Sequence, residues 1–126
     1  KDKFILIGDD EGIDQDVYTQ ISKDFKGRVL EIYIHVVKNN KKLSNKVTPY
    51  FTAFDIAVNE FKKGRLNKEQ VTAVGKKLLS EDKFHKAFPK YAHCPKEASE
   101  IKTQKVPLIQ RLIGNVSKKT LDYCNS

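Results

Sequence analysis

Four carboxylates crowd one short stretch of this chain: Asp9, Asp10 and Glu11, then Asp14 after Gly12-Ile13. No lysine or arginine stands among them, so they repel one another unless a cation sits between them. Oxygen ligands in this number suit Mg²⁺, a hard ion that takes one or two protein carboxylates, keeps waters and accepts a phosphate oxygen. The stretch follows Phe4-Ile5-Leu6-Ile7, which reads as a strand. Asp9 thus falls at a strand's carboxyl end, where open α/β sheets bind ligands. Asp9 and Asp14 are the expected metal ligands. Asp10 joins them as a candidate, and with Glu11 it is as well suited to solvent as to the ion. Asp14 also stands where it would cap a following helix, and a solvated capping turn is the competing reading of the whole stretch.

The elements that must position these residues can be read outward from the loop. The run 4–7 has no polar alternation and predicts a strand buried on both faces, as in a parallel sheet. A helix is predicted from about Gln15 to Lys26, with Ile13, Val17, Ile21 and Phe25 as its buried stripe and Gly27 as its stop. Val29 to Val37 predicts a second strand. Leu30, Ile32, Ile34 and Val36 form an apolar face and Glu31, Tyr33 and His35 a mixed one, the pattern of an edge or near-edge strand. Together these make a right-handed parallel βαβ unit over residues 1–37. His35, on the mixed face near the strand's end, is a candidate to reach a substrate.

Residues 38–46 form a polar, lysine-rich connection, and from there to 126 the pattern is mostly helical. Phe51, Phe54, Val58 and Phe61 line one helix closed by Gly64, and the aromatic stripe reads as core. Asn67 is placed to cap a second helix with Val71, Val74 and Leu78 inward. Ser80 is placed to cap a short third one reaching Phe88. A helix over 101–113 and a short piece around Leu121 complete the chain. Two strands cannot make an independently stable parallel sheet. Further strands are therefore expected, either in the later half or upstream of Lys1.

Bulk properties bound the function. The 126 residues suffice for one domain, and 39% apolar with 32% charged residues is a globular composition, not a disordered one. No apolar run approaches the roughly 18–20 residues of a membrane span, so no transmembrane segment is predicted. The chain starts at Lys1 without a signal peptide, which reads as a processed product or a piece of something longer. The net charge of +8 is carried almost wholly by lysine, the arginines being Arg28, Arg65 and Arg111. That favours an anionic phosphate substrate or lipid headgroup. Nucleic acid is not expected, because no helix-turn-helix, zinc-finger or RNP pattern and no arginine cluster is present. Cys94 and Cys124 have no metal-ligand spacing. They form either a disulfide, which implies an oxidising, extracytoplasmic compartment, or two buried thiols.

Two families carry related patterns. The order Asp9-Asp10, Asp55, then Lys105-Val106-Pro107 resembles a response-regulator receiver. Against it, Tyr50 to Ala57 reads as a helix, so no strand ends at Asp55, and the stretch 79–91 is charged where a strand is needed. Phe4-Ile5-Leu6-Ile7-Gly8-Asp9-x-x-x-x-Asp14 more closely resembles motif IV of haloacid-dehalogenase-like phosphohydrolases. The run Lys3 to Val37, with Val17-Tyr18, Ile21, Phe25-x-Gly27-Arg28-Val29 and Ile32-Tyr33-Ile34, resembles the App1-like phosphatidate phosphatase catalytic domain. Tyr50-x-Thr52-Ala53-Phe54-Asp55-x-Ala57 and Gly64-Arg65-Leu66 resemble the helical tail of bacterial relatives.

The resemblance implies the C-terminal portion of a Rossmann-like core and a Mg²⁺-dependent hydrolysis of lipid phosphate, with Asp9 and Asp14 on the ion. It also implies an upstream polypeptide, since the family's Asp-x-Asp nucleophile motif, Ser/Thr motif and Lys all precede the acidic loop. The isolated chain is then expected to lack phosphatase activity and to bind Mg²⁺ weakly. Two positions depart from the family: Asp10 where Ser is frequent, and His35-Val36 where Arg-Asp is frequent. His85 and His93 have no partner at catalytic spacing, and no Ser/His/Asp order, P-loop or GxGxxG is present. The non-enzymatic alternative is a binding module that presents its lysines to an anionic membrane or a protein partner.

Overall fold

The computed structural model describes residues 2–89, 91–96 and 107–126. It is an α/β chain with a three-stranded parallel sheet and several helices. The chain divides into two compact units, one of Lys1–Tyr50 with Tyr91–His93, the other of Phe51–Lys90 with Cys94–Ser126.

In the first unit, β1 (Phe4–Asp9), α1 (Asp14–Asp24), β2 (Val29–His35) and β3 (Thr48–Tyr50) follow in chain order. All strand pairs are parallel and the sheet order is β1-β2-β3. The central strand is therefore β2, where an edge or near-edge strand was expected. The edge is β1, where burial on both faces was expected. Ile32, Tyr33 and Ile34 of β2 are buried, whereas Ile5 and Ile7 of β1 are 38% and 50% exposed. An apolar run reports how much a strand could bury, not how many neighbours it has. The third strand also escapes a pattern reading. Thr48-Pro49-Tyr50 is too short for any period, and its proline lacks an N–H, which is tolerated on an edge.

Helix α1 lies on the face that carries Leu6, Gly8, Ile32 and Ile34. Ile32, Ile34 and Val47 form the core there, with Tyr18, Val29 and Leu43 against it. Gly8 is required by the close crossing: a Cβ at this position would meet the Asp14 carboxylate and lie 2.8 Å from the Tyr18 ring. The expected buried stripe is corrected by its rotation. No residue of α1 is buried, Val17 is 42% exposed, and Ile13 and Phe25 are exposed as well. Tyr18, half-buried, is the residue that meets the core. The helix ends at Asp24, and Gly27 takes the left-handed turn beyond it, with φ +77°.

The second unit is helical: α2 (Ala53–Lys62), α3 (Lys68–Ser80), a 3₁₀ turn at Phe84–Lys86, another at Pro107–Ile109, and α4 (Gln110–Cys124). Phe54, Val58, Val71, Leu78, Ile113 and Val116 are buried. Asn67 caps α3 as expected, accepting the Gln70 N–H at 2.8 Å while the Gln70 side chain accepts the Asn67 N–H at 2.9 Å. Gly75 lets two helices meet, since a Cβ there would lie 2.6 Å from Leu112 and 2.8 Å from Phe54. Ser80 does not open a new helix. It closes α3, its hydroxyl donating to the Lys77 carbonyl. Of the helix expected over 101–113, residues 101–106 lie outside the described ones. The α4 helix begins at Gln110 and runs through Leu121 to Cys124. Cys94 and Cys124 form a disulfide with Cα atoms 5.7 Å apart. Among the described residues, no helix is long and apolar enough to cross a membrane.

Candidate functional site at the carboxyl ends of the strands

The three parallel strands end in register. Asp9 pairs with His35 and His35 with Tyr50, so an acid, an imidazole and a phenol stand side by side at the carboxyl edge of the sheet. The His35 and Tyr50 rings stack, with centroids 4.9 Å apart and planes 12° off parallel. Tyr33 meets Tyr50 edge-on at 6.4 Å. The Tyr50 phenol is held above its ordinary value, first by burial, then by the negative charge of Asp9, then by Tyr18. Asp9 is thus close enough to Tyr50 for its negative charge to act on the phenol.

The acidic loop is organised by its own carboxylates. Asp9 Oδ1 accepts the Glu11 N–H at 2.9 Å, and the Asp9 N–H donates to Asp14 Oδ2 at 3.0 Å. Asp14 is the first residue of α1 and does not cap it. The cap position is Ile13, with no side-chain cap, because the Asp14 carboxylate turns back to the Asp9 main chain. Tyr18 secures the same strand end by donating to the Ile7 carbonyl at 3.1 Å. Glu11 forms an exposed ion pair with Lys38 at 3.7 Å, and the Lys41 ammonium donates to the Gly12 carbonyl.

Asp10 does something different from its neighbours. It is 3% exposed. Its Oδ1 accepts the Val37 and Lys38 N–H groups at 2.9 and 2.8 Å, and its Oδ2 accepts the Asn39 N–H at 2.9 Å. Burial pushes its pKa up, but the N–H groups of Lys38, Val37, Asn39 and Asp10 itself outweigh that and hold it below the usual value. The Asp10 carboxylate therefore clamps the acidic loop to the turn after β2. Asn39 in that turn is left-handed, with φ +54°, a conformation asparagine tolerates.

The loop thus offers an ion two carboxylates, Asp9 and Asp14, joined through one main-chain hydrogen bond. Among the described residues no group of three or more His, Cys, Asp or Glu side chains is placed to hold a metal. Two carboxylates fit the share of a Mg²⁺ shell that a protein supplies when waters and phosphate complete it. Asp55, the receiver-type candidate, sits in the first turn of α2. Burial raises its pKa, and the Phe51 and Thr52 N–H groups that it accepts, at 2.7 and 3.2 Å, offset this in part. Lys105 and Val106 lie outside the described residues. His93 stands near Asn39, with 3.4 Å between Nε2 and Nδ2, and His85 is exposed in the 3₁₀ turn.

Tyr50 is the site residue that pattern reading misses. By pattern it opens a helical segment, and only the register of β3 brings it beside His35. No protein-family model matches the chain, and no curated protein or solved structure matches it either.

Proposed function

We propose that this chain is the C-terminal part of a Mg²⁺-dependent, haloacid-dehalogenase-like phosphatase resembling the App1-like phosphatidate phosphatases, acting on a lipid phosphate. The observation that carries the reading is the row Asp9, His35, Tyr50 at the carboxyl edge of a parallel sheet, with Asp14 bonded behind Asp9. That edge is where α/β sheets take their ligands. In this reaction type a carboxylate attacks phosphorus and water later releases the phosphate. The attacking carboxylate would come from an upstream polypeptide. Its addition is supported by the outer edge of β1, which has no strand partner among the described residues, and by the exposed Ile5, Ile7 and Val17 around it.

Bound Mg²⁺ would offset negative charge on the phosphate. Asp9 and Asp14 would be its ligands from this chain, Asp14 also fixing the Asp9 main chain. His35, steadied by its stack on Tyr50, would face the phosphate ester. The test compares the chain alone with the chain joined to its upstream polypeptide, on phosphatidate and on p-nitrophenyl phosphate. The joined protein hydrolyses both phosphate esters and Asp9→Ala abolishes this. Hydrolysis by the chain alone, lost on Asp9→Ala, would overturn the assignment of the nucleophile to another segment.

A second reading has its own observation. Lys38, Lys41, Lys42 and Lys46 are exposed on one connection of a chain with net charge +8. Sedimentation with anionic liposomes at two salt concentrations tests it: strong, salt-sensitive binding without any metal dependence favours a membrane-binding module over the phosphatase.

A further inference from the structure

A cleft of about 420 Å³ opens on the helical unit between α2, α3 and the turn that follows Phe84. This lies within the range of small-molecule sites, roughly 300–1,000 Å³. Phe54 and Leu78 line its depth, and Ala53, Ala73, Val74 and Ala87 its walls. The three alanines make the room, since any longer side chain there would fill it. The walls offer an occupant no hydroxyl, amide or thiol, so a ligand with polar groups along its length would bury them unpaired.

The mouth is different. Lys77 and Lys86 stand on it, both exposed, and neither ammonium has a hydrogen-bond or ion-pair partner among the described residues. Glu81 is also at the mouth, and its Oε1 accepts the Lys83 N–H at 3.1 Å. The rim therefore carries two cations against one anion over an apolar interior.

We propose that this cleft binds one aliphatic chain with an anionic head, a ligand of the fatty-acid class. The alkyl chain lies along Phe54 and Leu78, and the head sits between Lys77 and Lys86. Nothing in this site depends on the acidic loop, so it stands or falls apart from the phosphatase reading.

The test is a titration of the full chain with dodecanoate below its micelle concentration, followed by calorimetry and by amide NMR shifts. The shifts fall on α2, α3 and residues 81–87. Shortening the ligand to decanoate weakens binding about fifteenfold, because each of the two buried methylenes removed is worth about fourfold. The double reversal Lys77→Glu/Lys86→Glu weakens dodecanoate about tenfold at low salt and leaves dodecan-1-ol nearly unchanged. Ala73→Phe, an exposed helix position that tolerates the larger ring, closes the cleft and removes binding of both. Asp9→Ala, which lies outside the cleft lining, leaves the affinity for dodecanoate as it was, whatever it does at the acidic loop. Equal affinity for dodecanoate and dodecan-1-ol, unaltered binding by Ala73→Phe, or no binding of dodecanoate at all would each overturn the proposal.

Discussion

The two units of this molecule solve the same problem in opposite ways. The helical unit closes on itself. Val71, Phe54 and Phe88 are fully buried, α3 is capped by Asn67, and a disulfide fixes the end of α4. Lys119 sets its ammonium against the carbonyls of Leu78, Leu79 and Glu81 at the end of α3, at 2.7–3.2 Å. The sheet unit leaves itself open. Its first helix has no side-chain cap and no buried residue, and its edge strand shows isoleucines to solvent. A unit that carries its own staples needs no neighbour, whereas a unit whose apolar edge is uncovered is shaped for one. The acidic loop, and the candidate site with it, belongs to the open unit.

The largest effect expected from this contrast is at the disulfide. Cys94 and Cys124 are 30 residues apart, and a closed loop of that size stabilises by about 3–4 kcal/mol through the unfolded state. Cys94→Ser/Cys124→Ser should therefore collapse amide-exchange protection across α2, α3 and α4 and leave β1, β2 and α1 unchanged. Equal loss in both units would show that they fold as one.

Next comes Asp10. Asp10→Ala removes the acceptor of three buried or half-buried N–H groups, at a cost of about 3 kcal/mol. The loss should appear in the sheet unit alone, as lower protection at Val37, Lys38 and Asn39. Asp10 also shows what a sequence does and does not tell. Its charge and its place in an acidic run were plain, and they pointed to an ion. Its partners are main-chain groups 27 to 29 residues away, which no residue type announces. Asp14 is a similar case, one residue inside the helix it was expected to cap. The parallel βαβ unit and the Asn67 cap were legible because they rest on local period and local hydrogen bonding. The order of strands was not, because three residues of β3 decide which strand lies in the middle.

Acidification should separate the units by sign. Asp10 has a lowered folded pKa, so its contribution to stability is present above the unfolded value of 3.8 and is lost as pH falls through the folded one. Asp55 has a raised folded pKa, so its effect is reversed. Folding binds its proton more tightly, and the helical unit loses stability as pH rises from 3.8 through the folded pKa. Exchange measured from neutral pH downward should show the helical unit gaining protection before the sheet unit loses it. Asp55→Asn abolishes the first change and Asp10→Asn the second. A helical unit that loses protection throughout the descent would contradict the burial of Asp55.

The smallest effect is the one that bears most on function. Ile7 is 50% exposed on the edge strand and Ile34 is fully buried on the central one. Ile34→Ala should cost about 2–4 kcal/mol. Ile7→Lys should change the stability of the isolated chain by no more than about 1 kcal/mol, because the chain covers only half of this side chain. It should also reduce any self-association, since a charge on an exposed edge opposes strand addition. In the proposed phosphatase, with the proposed upstream segment joined, the same lysine should block the seating of a strand and abolish the proposed hydrolysis of phosphate esters, with Asp9 and Asp14 untouched. Denaturant unfolding of the two variants decides the structural half. If Ile7→Lys costs as much as Ile34→Ala, the face of β1 is covered within this chain and is not the surface on which the proposed upstream segment would seat.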